Sequence, residues 1–128
     1  MLRIDPLSKT PIYEQIIEQL ERLVLSGAIS PGDPIPSVRS LSMELKANPN
    51  TIQKAYSELD SRGIICSVPG KGCFISAGAR LSLNDRARKS INDIKDICEM
   101  LKMAGVEENE VISAVKSVFE TAKEEENK

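Results

Sequence analysis

The sequence predicts an α+β protein, with three helices and a β-hairpin in an N-terminal domain and a hairpin of two helices after it. Apolar residues recur at helical spacing in the helical segments, and two short β-branched runs flank a glycine-rich turn. A linker of small residues at 76–79 separates the two parts. The 128 residues leave room for one small domain with an appendage, so we predict domains at 1–76 and 77–128.

Composition narrows the classes of function. The chain contains no histidine, so the usual general base and the commonest nitrogen ligand of metals are missing. We therefore expect that the protein is not an enzyme and that it binds no metal ion and no cofactor. Three cysteines are an odd number and do not suggest a disulfide framework. Because the sequence has neither a run of about 18 apolar residues nor a secretory signal, we expect a cytoplasmic protein without a membrane partner.

The first helix is predicted to begin at Thr10-Pro11, an N-cap followed by proline at the first helical position. It ends at Gly27, a typical C-terminal cap. Three prolines and a glycine then fall within residues 30–36 and forbid a helix there. We predict a rigid connecting turn for this segment.

Two helices separated by about three residues follow this turn. Ser37 is the predicted N-cap of a short helix that ends near Leu45. Asn48-Pro49 repeats the cap-plus-proline signal, and Gly63 ends the second helix. Their spacing predicts a helix-turn-helix.

Residues 64–68 and 73–75 are predicted strands of a β-hairpin, with a Pro-Gly-Lys-Gly turn between them. If Val68 pairs with Cys73, then Cys66 and Cys73 share the inward face with Ile64, Val68 and Ile75. We therefore expect both cysteines to pack in the core rather than to act as a thiol switch.

Beyond the linker we predict two helices of about 20 residues, separated by Gly105, that form an antiparallel hairpin. Such a hairpin cannot bury both of its apolar stripes, so we expect a second copy to cover them in a homodimer. The alternative is that the hairpin folds back onto the N-terminal domain. The predicted dimerisation residues are Leu83, Ala87, Ile91, Ile94, Cys98, Leu101, Val111, Val115, Val118 and Phe119.

The order of elements, helix-turn-helix and then a hairpin with a basic tip, is that of a winged helix-turn-helix, which points to DNA binding. Residues 36–75 carry five basic and three acidic side chains, so their net charge is 5 − 3 = +2. Asn50 and Gln53, at the start of the second helix, can read adenine edges in the major groove. The alternative function is protein interaction without sequence-specific DNA binding. The candidate DNA-binding residues are Ser37, Arg39, Asn50, Thr51, Gln53, Lys54, Gly70, Lys71 and Gly72.

Residues 11–75 resemble the N-terminal domain of the GntR family of bacterial transcription regulators. The resemblance rests on the motifs PIY at 11–13, GAISPGD at 27–33, IPSVRSL at 35–41, NPNTIQKAY at 48–56, Leu59, RGII at 62–65 and GKGCFI at 70–75. Two departures are Ile35 in place of the usual leucine and Lys46-Ala47 in place of the usual glycine and aliphatic residue. A lysine at positive φ in that turn would cost on the order of 1 kcal/mol.

The resemblance implies dimeric binding to a palindromic DNA operator through Ser37, Arg39, Asn50, Thr51, Gln53 and the wing at 70–72. The short helical tail resembles the YtrA-like subfamily, whose members are often encoded beside the ABC transporters that they control. We therefore expect a repressor of a transporter operon. A small-molecule effector that the sequence does not name could bind between the helical hairpin and the winged helix.

Overall fold

A computed structural model of the chain describes residues 2–126, and the side chains of residues 2–121. The residues form two compact units that divide after Arg86. The elements are α1 (Ile12–Leu25), β1 (Pro34–Ile35), α2 (Val38–Leu45), α3 (Pro49–Ser61), β2 (Ile65–Val68), β3 (Gly72–Ile75), α4 (Ala79–Lys89), α5 (Ile91–Met103) and α6 (Glu108–Glu126).

The first unit is the predicted winged helix-turn-helix. Helices α1, α2 and α3 surround a single hydrophobic core, and α3 packs against both other helices. A three-stranded antiparallel sheet in the order β1-β3-β2 closes one side of this core. The largest fully buried side chains are Ile16, Leu20, Val24, Leu41, Ile52, Leu59, Ile64 and Ile75.

The predicted caps of the helix-turn-helix are confirmed. The Ser37 hydroxyl accepts a hydrogen bond from the Ser40 N–H over 3.0 Å, and the Asn48 side chain accepts one from the Asn50 N–H over 2.9 Å. Lys46 ends α2 in the left-handed conformation, with φ of 54°. Helix α1 begins one position later than predicted, because Pro11 rather than Thr10 is its N-cap.

The chain before α1 is tied to that helix by two glutamine side chains, which the sequence analysis did not anticipate. Gln19 bonds both the N–H and the carbonyl of Arg3, and Gln15 does the same for Asp5. The two glutamines lie four positions apart on one helix face, so their side chains reach the peptide groups of Arg3 and Asp5, two residues apart in the segment before α1. This ladder places Leu2 in the core.

The structure corrects two expectations about the sheet. The predicted rigid turn contains a strand, β1, whose Pro34 pairs with Phe74 of β3. Val68 pairs with Gly72 and not with Cys73, so the hairpin register is shifted by one residue from the predicted one. A one-residue shift exchanges the two faces of a strand.

The register shift separates the two cysteines of the hairpin. Ile65 and Ile75 form the inward pair and are buried, whereas Cys66 is exposed, so the predicted packing of Cys66 is wrong. Cys73 is partly buried against the core, and that prediction is confirmed.

The single long helix predicted after the linker is wrong, because Ser90 separates α4 from α5. Ala79 and Leu83 of α4 are buried in the core of the first unit, so that unit extends beyond the predicted boundary at residue 76. Leu83 is only 2% exposed and is therefore not available as a dimerisation residue. The physical reason is that α4 uses its apolar side chains to close the core of the winged helix.

Candidate nucleic-acid interface

Helix α3 presents polar side chains opposite its buried face. Ile52 and Leu59 point into the core, while Asn50, Gln53 and Ser57 are exposed on the other side. The Gln53 amide donates a hydrogen bond to the Ser57 hydroxyl over 3.1 Å. The Gln53 side-chain oxygen accepts no hydrogen bond from the described residues, so this face can meet the donors and acceptors on base edges.

Tyr56 fixes α3 against the start of α2. Its phenol donates a 2.6 Å hydrogen bond to the carbonyl of Pro36. Burial raises the pKa of Tyr56 well above the usual value for a phenol, and the charges of Cys73 and Glu44 raise it further. Tyr56 therefore remains a protonated donor, and this bond sets the position of α3 relative to the N-terminus of α2.

The N-terminus of α2 carries two of the predicted contacts, Ser37 and Arg39, and both are exposed. The Ser37 hydroxyl is already used, because it accepts from the Ser40 N–H and donates to the Ser40 hydroxyl over 3.0 Å. Ser40 is exposed beside it and was missed from the sequence. Its position in the first turn of a capped helix is a signal that could have identified it, since hydroxyls there suit phosphate oxygens.

The wing tip depends on two glycines in the left-handed region. Gly70 has φ of 77° and Gly72 has φ of 111°, and no atom lies within 4 Å of a Cβ built on either. Backbone conformation, rather than crowding inside this protein, therefore requires glycine at both positions. Between them Lys71 is exposed at the end of the hairpin, where its charge can reach a DNA backbone.

Lys54 lies at the edge of α3 that faces α1. The Lys54 ammonium lies 3.9 Å from the centre of the Tyr13 ring, a cation–π contact. Thr51 is half-buried, so it is less accessible than Asn50 and Gln53.

Arg62, the basic residue at the end of α3, is held by carboxylates. It bonds Glu21 of α1 over 2.7 Å and Glu58 over 2.8 Å, and Glu21 also pairs with Arg86 of α4. Desolvation lowers the pKa of Arg62, but its hydrogen bonds to Glu58 and Glu21 outweigh this effect and raise it. Part of the local +2 charge is therefore neutralised within the domain. Arg39, Lys46, Lys54 and Lys71 form no ion pair with any described side chain.

The second unit contains the remaining predicted dimerisation residues. No residue of α5 is buried. Cys98, Leu101 and Val111 line a groove of about 510 Å³ at the junction of α5 and α6. The other residues on these helices are largely exposed: Ile91 55%, Ile94 52%, Val115 45%, Val118 67% and Phe119 67%. Ala87 of α4 is also exposed.

A capped helix-turn-helix, an outward polar face on its second helix and a glycine-lysine-glycine wing together define a winged-helix regulator of transcription. Residues 12–75 match the family described as "Bacterial regulatory proteins, gntR family". The chain belongs to this GntR family.

Three known proteins illustrate the relationship. The HTH-type transcriptional repressor YtrA of Bacillus subtilis (strain 168) is 43% identical over 119 residues, which cover 92% of each chain. The crystal structure of a transcriptional regulator from Oenococcus oeni is 29% identical, with a TM-score of 0.73 over 91% of this chain and 97% of that one. The DNA-binding domain of AraR in complex with operator ORX1 is 34% identical, with a TM-score of 0.51 over 59% of this chain and 93% of that one.

The long helices do not resemble membrane spans. In the part of the chain that the structure describes, no helix combines the length and the apolar character needed to cross a bilayer.

Proposed function

We propose that this protein is a homodimeric repressor that binds a palindromic DNA operator in the cytoplasm and controls a transporter operon. The outward polar face of α3, where Asn50 and Gln53 are exposed, carries this proposal. Side-chain amides at the start of a helix can read adenine edges in the major groove. The similarity to the repressor YtrA supports repression, and the resemblance to YtrA-like regulators supports the transporter target.

The homodimer is supported by the apolar side chains of α5 and α6. Ile94 and Val118 are each more than half exposed, and a lone copy would leave this surface in water. Two identical copies related by a two-fold axis would bury it and would present two copies of α3. Two recognition helices related by a two-fold axis match the two half-sites of a palindromic target.

Selection of genomic fragments bound by the full chain tests the proposal. We expect the recovered sequences to share an inverted repeat upstream of transporter genes, with half-site centres about one helical turn of DNA apart or a small multiple of that spacing. Recovery of fragments without a common sequence would favour the alternative, a winged helix that binds proteins and has no sequence preference on DNA.

Two substitutions distinguish contacts to the DNA phosphates from recognition of the DNA bases. Lys71→Ala should weaken binding to all sequences and lower the slope of log K against log salt by roughly 1. Gln53→Ala should instead relax the preference at one base position of each half-site. Lys9→Ala is the matched control, because this exposed lysine precedes α1 and lies outside α2, α3 and the wing. Both effects are measured by fluorescence anisotropy, and unchanged binding in both variants would refute the DNA model.

A further inference from the structure

The contact between Tyr13 and Lys54 is a feature that the proposed function does not explain. Tyr13 lies in the first turn of α1 and packs partly buried against the hydrophobic core. Its hydroxyl donates a 3.2 Å hydrogen bond to Glu14. The packing against the core holds the ring in place, and the Lys54 ammonium lies 3.9 Å from its centre.

Lys54 is held by an aromatic ring and not by a carboxylate, and the two kinds of group have different effects on the charge of a cation. Carboxylates of Glu14, Glu18 and Glu58 line the same groove, yet none forms an ion pair with Lys54. A carboxylate in an ion pair with Lys54 would offset the charge of the lysine, as Glu21 and Glu58 do for Arg62. A tyrosine ring carries no net charge, so it orients the ammonium without neutralising it, and the ammonium can still bind another anion.

The position of Lys54 indicates that anion. Lys54 follows Gln53 directly on α3 and lies at the edge of the exposed polar face, on the side of α1. A helix that enters the major groove has a phosphate backbone along each edge. A free lysine side chain must lose much rotamer freedom when it binds a phosphate, and prior placement on a ring reduces that loss.

We propose that Tyr13 is a positioning residue for DNA binding: its ring holds the Lys54 ammonium at the edge of α3, charged and already placed for a backbone phosphate. This inference rests on the DNA-binding function proposed above. It assigns to α1 a part in the interface that the nine predicted contact residues did not include.

Binding of the full chain to a mixed-sequence duplex and to the duplex recovered from the genomic selection tests the inference. Lys54→Met should lower the salt slope by roughly 1. Tyr13→Leu keeps an apolar side chain but removes the ring, and it should raise Kd roughly two- to fivefold on both duplexes. Tyr13→Phe retains the ring face and should bind as the wild type does. In the Lys54→Met background, Tyr13→Leu should have no further effect.

Three results would overturn the inference: an unchanged salt slope in Lys54→Met, an equal loss from Tyr13→Leu with and without Lys54, or a loss in Tyr13→Phe as large as that in Tyr13→Leu. If Lys71→Ala and Gln53→Ala behave as predicted, any of these results refutes the role of Tyr13 alone. If none of the variants changes binding, the proposed DNA function fails as well.

A measurement without DNA checks the contact itself, and it serves even if Tyr13→Leu does not fold. An aromatic ring shifts the resonances of protons above its face upfield. The side-chain methylene protons nearest the Lys54 ammonium should therefore resonate upfield of those of Lys71 in the NMR spectrum of the wild-type protein. Equal chemical shifts for the two lysines would show that the contact is absent in solution and would overturn the inference.

Discussion

Lys46 adopts a strained backbone conformation that the fold tolerates. It has the only positive φ of a non-glycine residue in the described chain, at 54°. The left-handed conformation is needed there because the chain must leave α2 and enter α3 within a few residues. The neighbouring bonds secure the turn: the Ala47 N–H donates to the Ser42 carbonyl over 3.1 Å, and the Ser42 hydroxyl donates to the Ala47 carbonyl over 2.7 Å.

Replacing Lys46 by glycine should stabilise the protein. Glycine adopts positive φ without the steric cost of a Cβ, which is on the order of 1 kcal/mol, and its larger unfolded-state entropy offsets about half of that, so we expect a net gain of about 0.5 kcal/mol. Lys46→Ala is the control, since it also removes the charge but keeps the Cβ. Urea unfolding of the three proteins measures the effect. An equal gain in stability in both variants would show that removal of the charge is the cause, and it would contradict the backbone explanation.

The residues of the candidate interface were predictable where local signals act. Capping chemistry identified Ser37 and Asn48, and helical periodicity placed Gln53 on an exposed face. Tyr13 and Ser40 were missed. The contact of Tyr13 with Lys54 requires α1 to pack beside α3, and no local pattern specifies which two side chains of different helices will meet.

At the scale of elements, α4 belongs to the winged helix through more than its apolar side chains. Glu21 of α1 is 14% exposed and accepts hydrogen bonds from Arg62 beyond the end of α3 and from Arg86 of α4. One carboxylate thus links three helices at their surface. If this carboxylate is removed, Arg86 loses its ion-pair partner and Arg62 retains only Glu58.

Glu21→Gln should therefore destabilise the first unit. The arginine side chains are 35% and 41% exposed, so solvent screening limits the expected loss to about 1 kcal/mol, and high salt should reduce it. Glu18→Gln, on the same helix, is the matched control because Glu18 is exposed and forms no ion pair with a described residue. Urea unfolding at low and high salt measures both variants. Equal losses in the two would show that the charge of α1, and not this network, is responsible.

The sheet shows why the type of an element is easier to predict than its pairing. The two strands of the wing were recognised from their β-branched residues, but their register depends on which residues form the loop. The loop holds Pro69, Gly70 and Lys71, with the Lys71 N–H bonded to the Val68 carbonyl over 2.9 Å. Gly72 consequently belongs to β3, and every side chain of β2 changes face relative to the predicted pairing with Cys73.

At the scale of the whole molecule, the proposed dimer depends on the exposed apolar side chains of α5 and α6. A charge placed in an apolar interface carries a large desolvation cost. We expect Val118→Glu, at a position that is 67% exposed in the single chain, to turn a dimer into a monomer and to weaken operator binding. Sedimentation equilibrium measures the change of mass.

Leu7→Glu is the control for this experiment. Leu7 is 93% exposed and belongs to the first unit, not to the helices α5 and α6 that supply the proposed interface, so this variant should remain dimeric. It corrects for the general effect of adding a negative charge to an acidic protein. A Val118→Glu protein that stays dimeric at the same concentrations as the wild type would show that the apolar face of α6 is not the interface.

The sequence by itself determined the order and type of α1, α2, α3 and the two wing strands, since caps, prolines, glycines and hydrophobic period are local signals that act on neighbouring residues. It did not indicate β1, whose pairing with β3 is a contact between distant residues. It also indicated the exposed amides of α3 and the basic wing. Tertiary structure alone decided that Leu83 belongs to the core, that Cys66 is exposed and that Glu21 forms ion pairs with two arginines. The physical reason is that burial and ion pairing depend on which surfaces meet in space, and residues far apart in the chain supply those surfaces.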